Sequence, residues 1–409
     1  MSLPPWLAAL LVAALIQMTG SFMSQSMPVI APLLTAAVGV PGERVGSLYA
    51  LTSFGSILFM AFGTPIISRV GPVAALGASV ICAACSLLLV TVGVWPVVAL
   101  AAGLLGLSYG PVPPGSTRLL GATAPARHRG FIFSIKQAAA QLGGVLAGLI
   151  IAPAAARFGW APALILPALA GLAAGVTTLA YRRRVDIGRD PTRAIHPAAL
   201  FHWRNLRAPF AAIAADRRLI ALTALTTAFA VTQGCLFSFC VTFLTSVHGA
   251  ALVQAGHAYA CMQGGALAGR LVLGFLADRA GDAMRNILGQ AWACAALILV
   301  WAWVPLPAGA SYVLVLAFLV GVMAASWNGL VLSEIARIAP PERVVEAAAG
   351  STMISFGGYV AGPALFSLAV SGFGEWRTPF AIVAAQLAIT ALALPVWLRR
   401  RARHHGRAA

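Results

Sequence analysis

The sequence predicts an all-α membrane protein of twelve transmembrane helices, arranged as two pseudo-symmetric six-helix bundles. Three observations carry this. First, 60% of the 409 residues are hydrophobic and 9% are charged, where a soluble domain carries about 25% charged residues. So few charges cannot coat a water-exposed surface, and the same numbers exclude disorder. Second, the chain divides into twelve apolar stretches, each near the roughly 20 residues that cross a bilayer core. Third, its two halves repeat.

The stretches run over about 6–36, 44–67, 72–93, 96–121, 131–154, 160–181, 219–246, 254–277, 286–305, 311–336, 346–371 and 377–398. Pro and Gly recur inside them, which membrane helices tolerate. The first has no basic segment before it and is longer than a signal-peptide core, so it reads as a retained span. The expected organisation is a bundle at 1–181, a basic linker at 182–218, a second bundle at 219–398 and a basic tail at 399–409.

Charge sets the orientation. The net charge of +17 arises from 27 basic and 10 acidic residues. In a soluble protein that excess would suggest nucleic acid; here it marks membrane sidedness, and no nucleic-acid partner is expected. With both termini cytoplasmic, the loops and tail on that side hold 21 basic residues and the other side holds three, Arg44, Arg157 and Arg377. The remaining three, Arg118, Lys136 and Arg270, fall inside spans. This asymmetry predicts an inner-membrane protein with cytoplasmic termini. The linker carries nine Arg against Asp186, Asp190 and Asp216, with aromatics interleaved in ALFHWRNLRAPFAAIAA. It reads as an interfacial helix on anionic headgroups, with a regulatory or protein-binding loop as the alternative.

The repeat appears at two offsets. Shifted by 210, Gly46, Tyr49, Ala50 and Gly55 fall on Gly256, Tyr259, Ala260 and Gly265, and Ser68-Arg69 on Asp278-Arg279. Shifted by 214, GGVLAG (143–148) falls on GGYVAG (357–362). Parallel repeats of this kind are expected of a rocking-bundle transporter.

The segment GRLVLGFLADRAG (269–281) resembles the loop signature between the second and third helices of a major facilitator superfamily bundle. FGTPIISRVG (62–71) is a degraded first copy, with Ser68 where Asp is usual, and VLSEIARIAPPERV (331–344) resembles the bundle-end segment in which a Glu closes the fourth helix. The resemblance spans essentially the whole chain. It implies two bundles around one central site reached alternately from each side, with the fifth and eighth helices facing each other.

Charges inside spans are expensive and so are functional candidates. Arg118 lies near a helix end, where it can snorkel. Lys136, the sole lysine, heads a line of small residues, Ala140, Gly144 and Gly148, at four-residue spacing, which permits close approach of a helix or ligand. It reads as a substrate contact, with snorkelling or a structural pair as alternatives. Arg270 lies between Gly269 and Gly274. By resemblance to carboxylate exchangers of the superfamily, it and Lys136 approach from opposite bundles; the alternative is a pairing with a nearby acid or carbonyl. Arg offers a planar fork and Lys a point charge for a carboxylate. No acid lies near the middle of any span, since Glu334 is near an end. Two cations without a central anion favour an anionic substrate, a monocarboxylate or dicarboxylate. Coupling is then expected by anion exchange, or with a proton carried on the substrate or on Lys136. Gln25, Gln137, Gln233, Asn328 and Tyr359 are polar candidates for the cavity wall, each also fit to bond helix to helix.

A gate is expected in the second bundle alone, from Asp278, Arg279, Glu334 and Arg337. The first keeps Arg69 but has Ser68 and Leu120 in the places of the two acids. The alternative is a set of solvated loop-end charges. No nucleotide, hydrolase or metal motif appears, so neither enzyme nor cofactor is expected. Cys82-x-x-Cys85 sits in an apolar run and reads as inert. A monomer is expected, carrying a small, anionic molecule. An exporter of lipophilic compounds and a substrate sensor on the same fold are the alternatives.

Overall fold

The computed structural model describes residues 4–182, 189–192, 195, 203–280, 283–305, 311–340 and 343–405, without the side chains of 126, 129–130, 203–206, 208, 275–280, 283, 345 and 395–405. Among these residues all regular structure is helical. The first bundle comprises α1 (Pro5–Ala37), α2 (Gly42–Phe62), α3 (Pro72–Val90), α4 (Trp95–Thr123), α5 (Phe131–Phe158) and α6 (Trp160–Ala180). The second comprises α7 (Arg217–His248), α8 (Leu252–Ala280), α9 (Ala283–Trp303), α10 (Ser311–Ile338), α11 (Val344–Phe373) and α12 (Arg377–His405). A linker helix, Trp203–Ala214, joins them. It buries Ala212 and Ile213, and its Pro209 lies against Gly350 of α11.

Among the described residues, eleven helices are long and apolar enough to cross a membrane. The expected twelfth is α8, 29 residues long, whose end at 275–280 lies outside the described side chains; it carries Gln254, His257, Tyr259, Gln263 and Arg270.

Glycine places the helices. A Cβ on Gly106 of α4 would lie 1.8 Å from the Thr52 carbonyl oxygen of α2, and one on Gly321 of α10 would lie 1.9 Å from the Met262 carbonyl oxygen of α8. Gly55 and Gly265 make the reciprocal approaches, to Gly103 and Phe318. Each bundle thus packs its second helix on its fourth, backbone against backbone, as small residues permit in lipid. The expected duplication is therefore present in three dimensions. In the fifth helices, however, Gly143 meets α1 at Met18 while Gly358 meets α7 at Thr227. The environments match one residue beyond the offset of 214, because the sequence pattern aligned glycine spacing rather than helix face.

The fourth helix of each bundle is broken near its middle. In α4 the break falls at Gly110-Pro111, between Trp95–Tyr109 and Val112–Thr123, where proline removes a backbone donor. In α10 it falls at Ser326, between Ser311–Ala325 and Trp327–Ile338. Ser326 bonds back to the Val322 carbonyl at 2.7 Å, a local competition that bends helices. The breaks bring Tyr109 and the Ala325 carbonyl to the centre.

The bundles meet toward the face opposite the termini. A Cβ on Gly46 of α2 would lie 2.4 Å from the Pro363 carbonyl oxygen of α11, and one on Gly148 of α5 would lie 2.4 Å from the Gly256 carbonyl oxygen of α8. The duplicated pair Gly46 and Gly256 therefore marks two equivalent crossings, each between the second helix of one bundle and the fifth of the other. Among the described residues, side-chain hydrogen bonds join the bundles on this side from Tyr259 to Gln25 at 2.7 Å and from Ser371 to Glu43 at 2.9 Å. On the termini side of the crossings, Tyr49, Tyr109, Arg270 and Tyr359 keep accessible surface although they lie at mid-depth. They are the candidates for the wall of a central cavity.

Candidate functional site

The cavity wall in the second bundle is built around Arg270. Its Nε donates to the Ala325 carbonyl at 3.3 Å, an acceptor exposed by the α10 break. No described carboxylate pairs with it. At a similar depth stand two half-buried tyrosines, Tyr109 from the first bundle and Tyr359 from the second. Tyr359 donates to Gln233 Oε1 at 2.8 Å, and Trp327 Nε1 donates to the same oxygen at 3.1 Å. Because an indole N–H can only donate, this fixes the Gln233 amide and, through it, the Tyr359 ring. On the opposite wall, Gln17 of α1 donates through Nε2 to the Tyr109 hydroxyl at 2.5 Å.

Deeper in, Gln263 donates to the Tyr259 hydroxyl at 2.9 Å and Tyr259 donates to Gln25. The Gln263 amide lies against Gly144 of α5. Tyr259 and Gln263 are both fully buried. This layer forms the floor of the cavity.

Lys136 is 4% exposed. Its Nζ donates to Thr117 of α4 at 3.2 Å and lies 6.0 Å from the Phe133 ring centroid. No described carboxylate reaches it, so a buried cation stands here without a counter-charge. The expected line of small residues does face α8, since Gly144 meets Gln263 and Gly148 meets Gly256. From the Gly144–Gln263 crossing, Lys136 lies eight residues along α5 and Arg270 seven along α8, about 10–12 Å at 1.5 Å per residue. The two cations therefore stand at one level on facing antiparallel helices, yet each bonds within its own bundle.

The remaining expected residues divide. Gln25, Gln233 and Tyr359 belong to the network. Gln137 and Asn328 are half-buried and make no described hydrogen bond. Of the expected gate, Asp278 and Arg279 lie outside the described side chains. Glu334, 2% exposed, accepts two bonds from Arg337, at 2.9 Å from Nε and 2.5 Å from Nη2. In the first bundle Ser68 accepts from Arg118 Nη1 at 2.5 Å. The Arg69 carbonyl accepts from Arg189 of the linker at 3.3 Å. Gln17, Tyr49, Tyr109, Tyr259 and Gln263 were not singled out from the sequence as site residues. The stripe Gln17, Ser21, Gln25 at four-residue spacing on α1 was the signal for the first of them.

No group of three or more His, Cys, Asp or Glu side chains able to hold a metal ion occurs among the described residues. What the site offers is two cations, several tyrosine hydroxyls and oriented amides between the two bundles.

The comparisons with known proteins agree. The sequence profile of the Major Facilitator Superfamily matches residues 10–333. The chain is 28% identical over 313 residues to "Uncharacterized MFS-type transporter MT3072" of Mycobacterium tuberculosis (strain CDC 1551 / Oshkosh), covering 76% of this chain and 67% of that protein. Among solved structures, a bacterial homolog to the human lysosomal transporter Spinster superposes with a TM-score of 0.74 at 14% identity, covering 97% of this chain and 96% of that one. A peptide transporter POT in complex with sulfate gives 0.74 at 15% identity, covering 96% and 94%. The nucleoside transporter NupG gives 0.73 at 16% identity, covering 95% and 99%. At such identities these structures speak for the fold alone. The chain belongs to the Major Facilitator Superfamily, as an integral membrane transporter rather than an enzyme.

Proposed function

We propose that this transporter moves a small organic anion, a carboxylate, by alternating access across a bacterial inner membrane. The observation that carries the reading is Arg270, half-buried at mid-depth with its Nε on a carbonyl and no described acid beside it. A charge at this depth is costly unless something compensates it, and a carboxylate on the Arg fork does so bidentately. Lys136, buried at the same level on α5, supplies a second positive charge that the ligand draws in as the bundles close. Both termini face the cytoplasm by the charge asymmetry, so the cavity described here opens inward. The basic linker then lies on anionic headgroups, and the monomer suffices for transport.

The gate on the termini side rests on Glu334 in this reading. Arg337 holds its carboxylate now, and Arg279 at the end of α8 exchanges for it when the bundles close on that side. With no central acid, coupling proceeds by anion exchange or with a proton carried by the substrate or Lys136.

The test is counterflow uptake of labelled carboxylates into proteoliposomes containing the purified protein. Arg270→Gln and Lys136→Gln should each reduce uptake at equal protein incorporation. Uptake of neutral or cationic lipophilic solutes instead, unchanged in both variants, would overturn the anion reading in favour of a lipophilic-compound carrier.

A further inference from the structure

Two acceptors in the cavity network lack donors. Gln17 Oε1 and Gln263 Oε1 are buried and make no hydrogen bond, while the Nε2 of each amide is committed to a tyrosine. Gln17 is 4% exposed and Gln263 fully buried. An amide oxygen at such depth needs a donor. The same Gln17 amide holds Tyr109, and Gln17 lies two turns from Gln25 on α1 as Arg270 lies three turns from Tyr259 on α8, so with Gln25 and Tyr259 bonded to each other both Gln17 and Arg270 stand on the termini side of that bond. Gln263 lies two turns from Arg270 on one face of α8, at the floor.

Resting on the anion reading above, we infer that the ligand is not a bare carboxylate or dicarboxylate but a carboxylate that also carries a hydrogen-bond donor, a hydroxyl or an N–H, and that Gln17 Oε1 is the acceptor that selects it. The charges and dipoles sort the ligand's two ends. Arg270 takes the carboxylate. Tyr109, whose oxygen already accepts from Gln17, keeps its own proton free to donate to that carboxylate. The adjacent Gln17 oxygen meets the donor end. A second carboxylate in that place would set anionic oxygen against carbonyl oxygen. Gln233 shows the contrast, since its oxygen is filled twice, by Tyr359 and Trp327, and so serves only to position Tyr359. A site built to bond a ligand hydroxyl discriminates strongly against the analogue that lacks it, because the buried acceptor is then left unpaired.

The experiment measures binding to the purified full-length protein of matched triplets: lactate, propionate and malonate, and then 3-hydroxybutyrate, butyrate and succinate. In at least one triplet the hydroxy acid should bind about tenfold or more tighter than its deoxy partner, and tighter than the dicarboxylate. Gln17→Leu should bring the hydroxy-to-deoxy ratio to within about twofold while leaving the dependence on Arg270 intact. Gln17→Met, closer in shape, guards against loss through misfolding. Equal binding of hydroxy and deoxy acids, still abolished by Arg270→Gln, would overturn this inference and leave the anion reading standing; a water then fills the Gln17 oxygen. Tighter binding of the dicarboxylate would overturn it by showing the amide nitrogen facing the ligand. Binding of none of the six acids, with no effect of Arg270→Gln on a solute that is transported, would overturn both.

Discussion

Arg270 and Lys136 have the same formal charge and different employment. Arg270 presents a planar fork whose Nε is fixed by the Ala325 carbonyl, so its remaining donors are pre-aimed. An ammonium cannot reproduce that geometry. Arg270→Lys should therefore weaken anion binding by roughly tenfold or more, given about 1.5–3 kcal/mol for a charged hydrogen bond, and titration calorimetry with the best-bound acid checks it. Retention of full affinity in Arg270→Lys would mean that charge alone is read. Tyr359→Phe removes one donor from Gln233 but leaves Trp327 in place. It should cost about 1 kcal/mol, the net worth of a neutral hydrogen bond, seen as a roughly fivefold rise in Kd without loss of fold. The sequence marked Arg270, Lys136, Gln233 and Tyr359 because a polar group inside an apolar run is conspicuous. It did not mark Tyr109. A tyrosine before Gly-Pro is ordinary until the helix break places it opposite an arginine from the other half of the chain.

At the scale of helices, the glycines divide into those that carry a backbone contact and those that face open space. A Cβ on Gly106 or Gly321 would penetrate a neighbouring carbonyl, whereas one on Gly289 or Gly357 would meet nothing within 4 Å. Gly106→Ala and Gly321→Ala should each destabilise by about 1–3 kcal/mol, the usual range for overpacking, while Gly289→Ala and Gly357→Ala stay neutral. Thermal unfolding in detergent distinguishes them, and a neutral Gly106→Ala would mean that the α2–α4 contact is looser than described. Helix existence was legible because a membrane span has one dominant signature, length with low charge. Helix interruption was less so. Pro111 announces the break in α4, but α10 breaks at Ser326 with no proline, through a serine bonding to its own backbone. The 210 offset found the correct glycine pairs because Gly46 and Gly256 do the same mechanical work. The 214 offset was one residue out, since glycine clusters in a fifth helix match at several registers.

For the molecule as a whole, the prediction concerns which face is closed. Fold, bundle count and the α5–α8 pairing follow from the repeat and the family resemblance. The conformational state does not, because one sequence serves every state of an alternating-access cycle. It is read from the contacts: the crossings at Gly46 and Gly148, with Ser371–Glu43 beyond them, seal the face opposite the termini. At that face Gly42 of the first bundle lies against Thr242 of α7, with a Cβ placed there 3.2 Å from Thr242 Cγ2. A cysteine Sγ at 242 would take a place near that of Cγ2, within reach of a disulfide to a cysteine at 42. With the six native cysteines replaced by alanine, Gly42→Cys with Thr242→Cys should form a bond on mild oxidation, locking the bundles together there. The locked protein should still bind its anion from the termini side, because the cavity on that side is untouched, but it should not transport. Reduction should restore transport. If uptake continues with the bond formed, the two bundles do not need to part at this face, and the structure described here is not one end of the transport cycle.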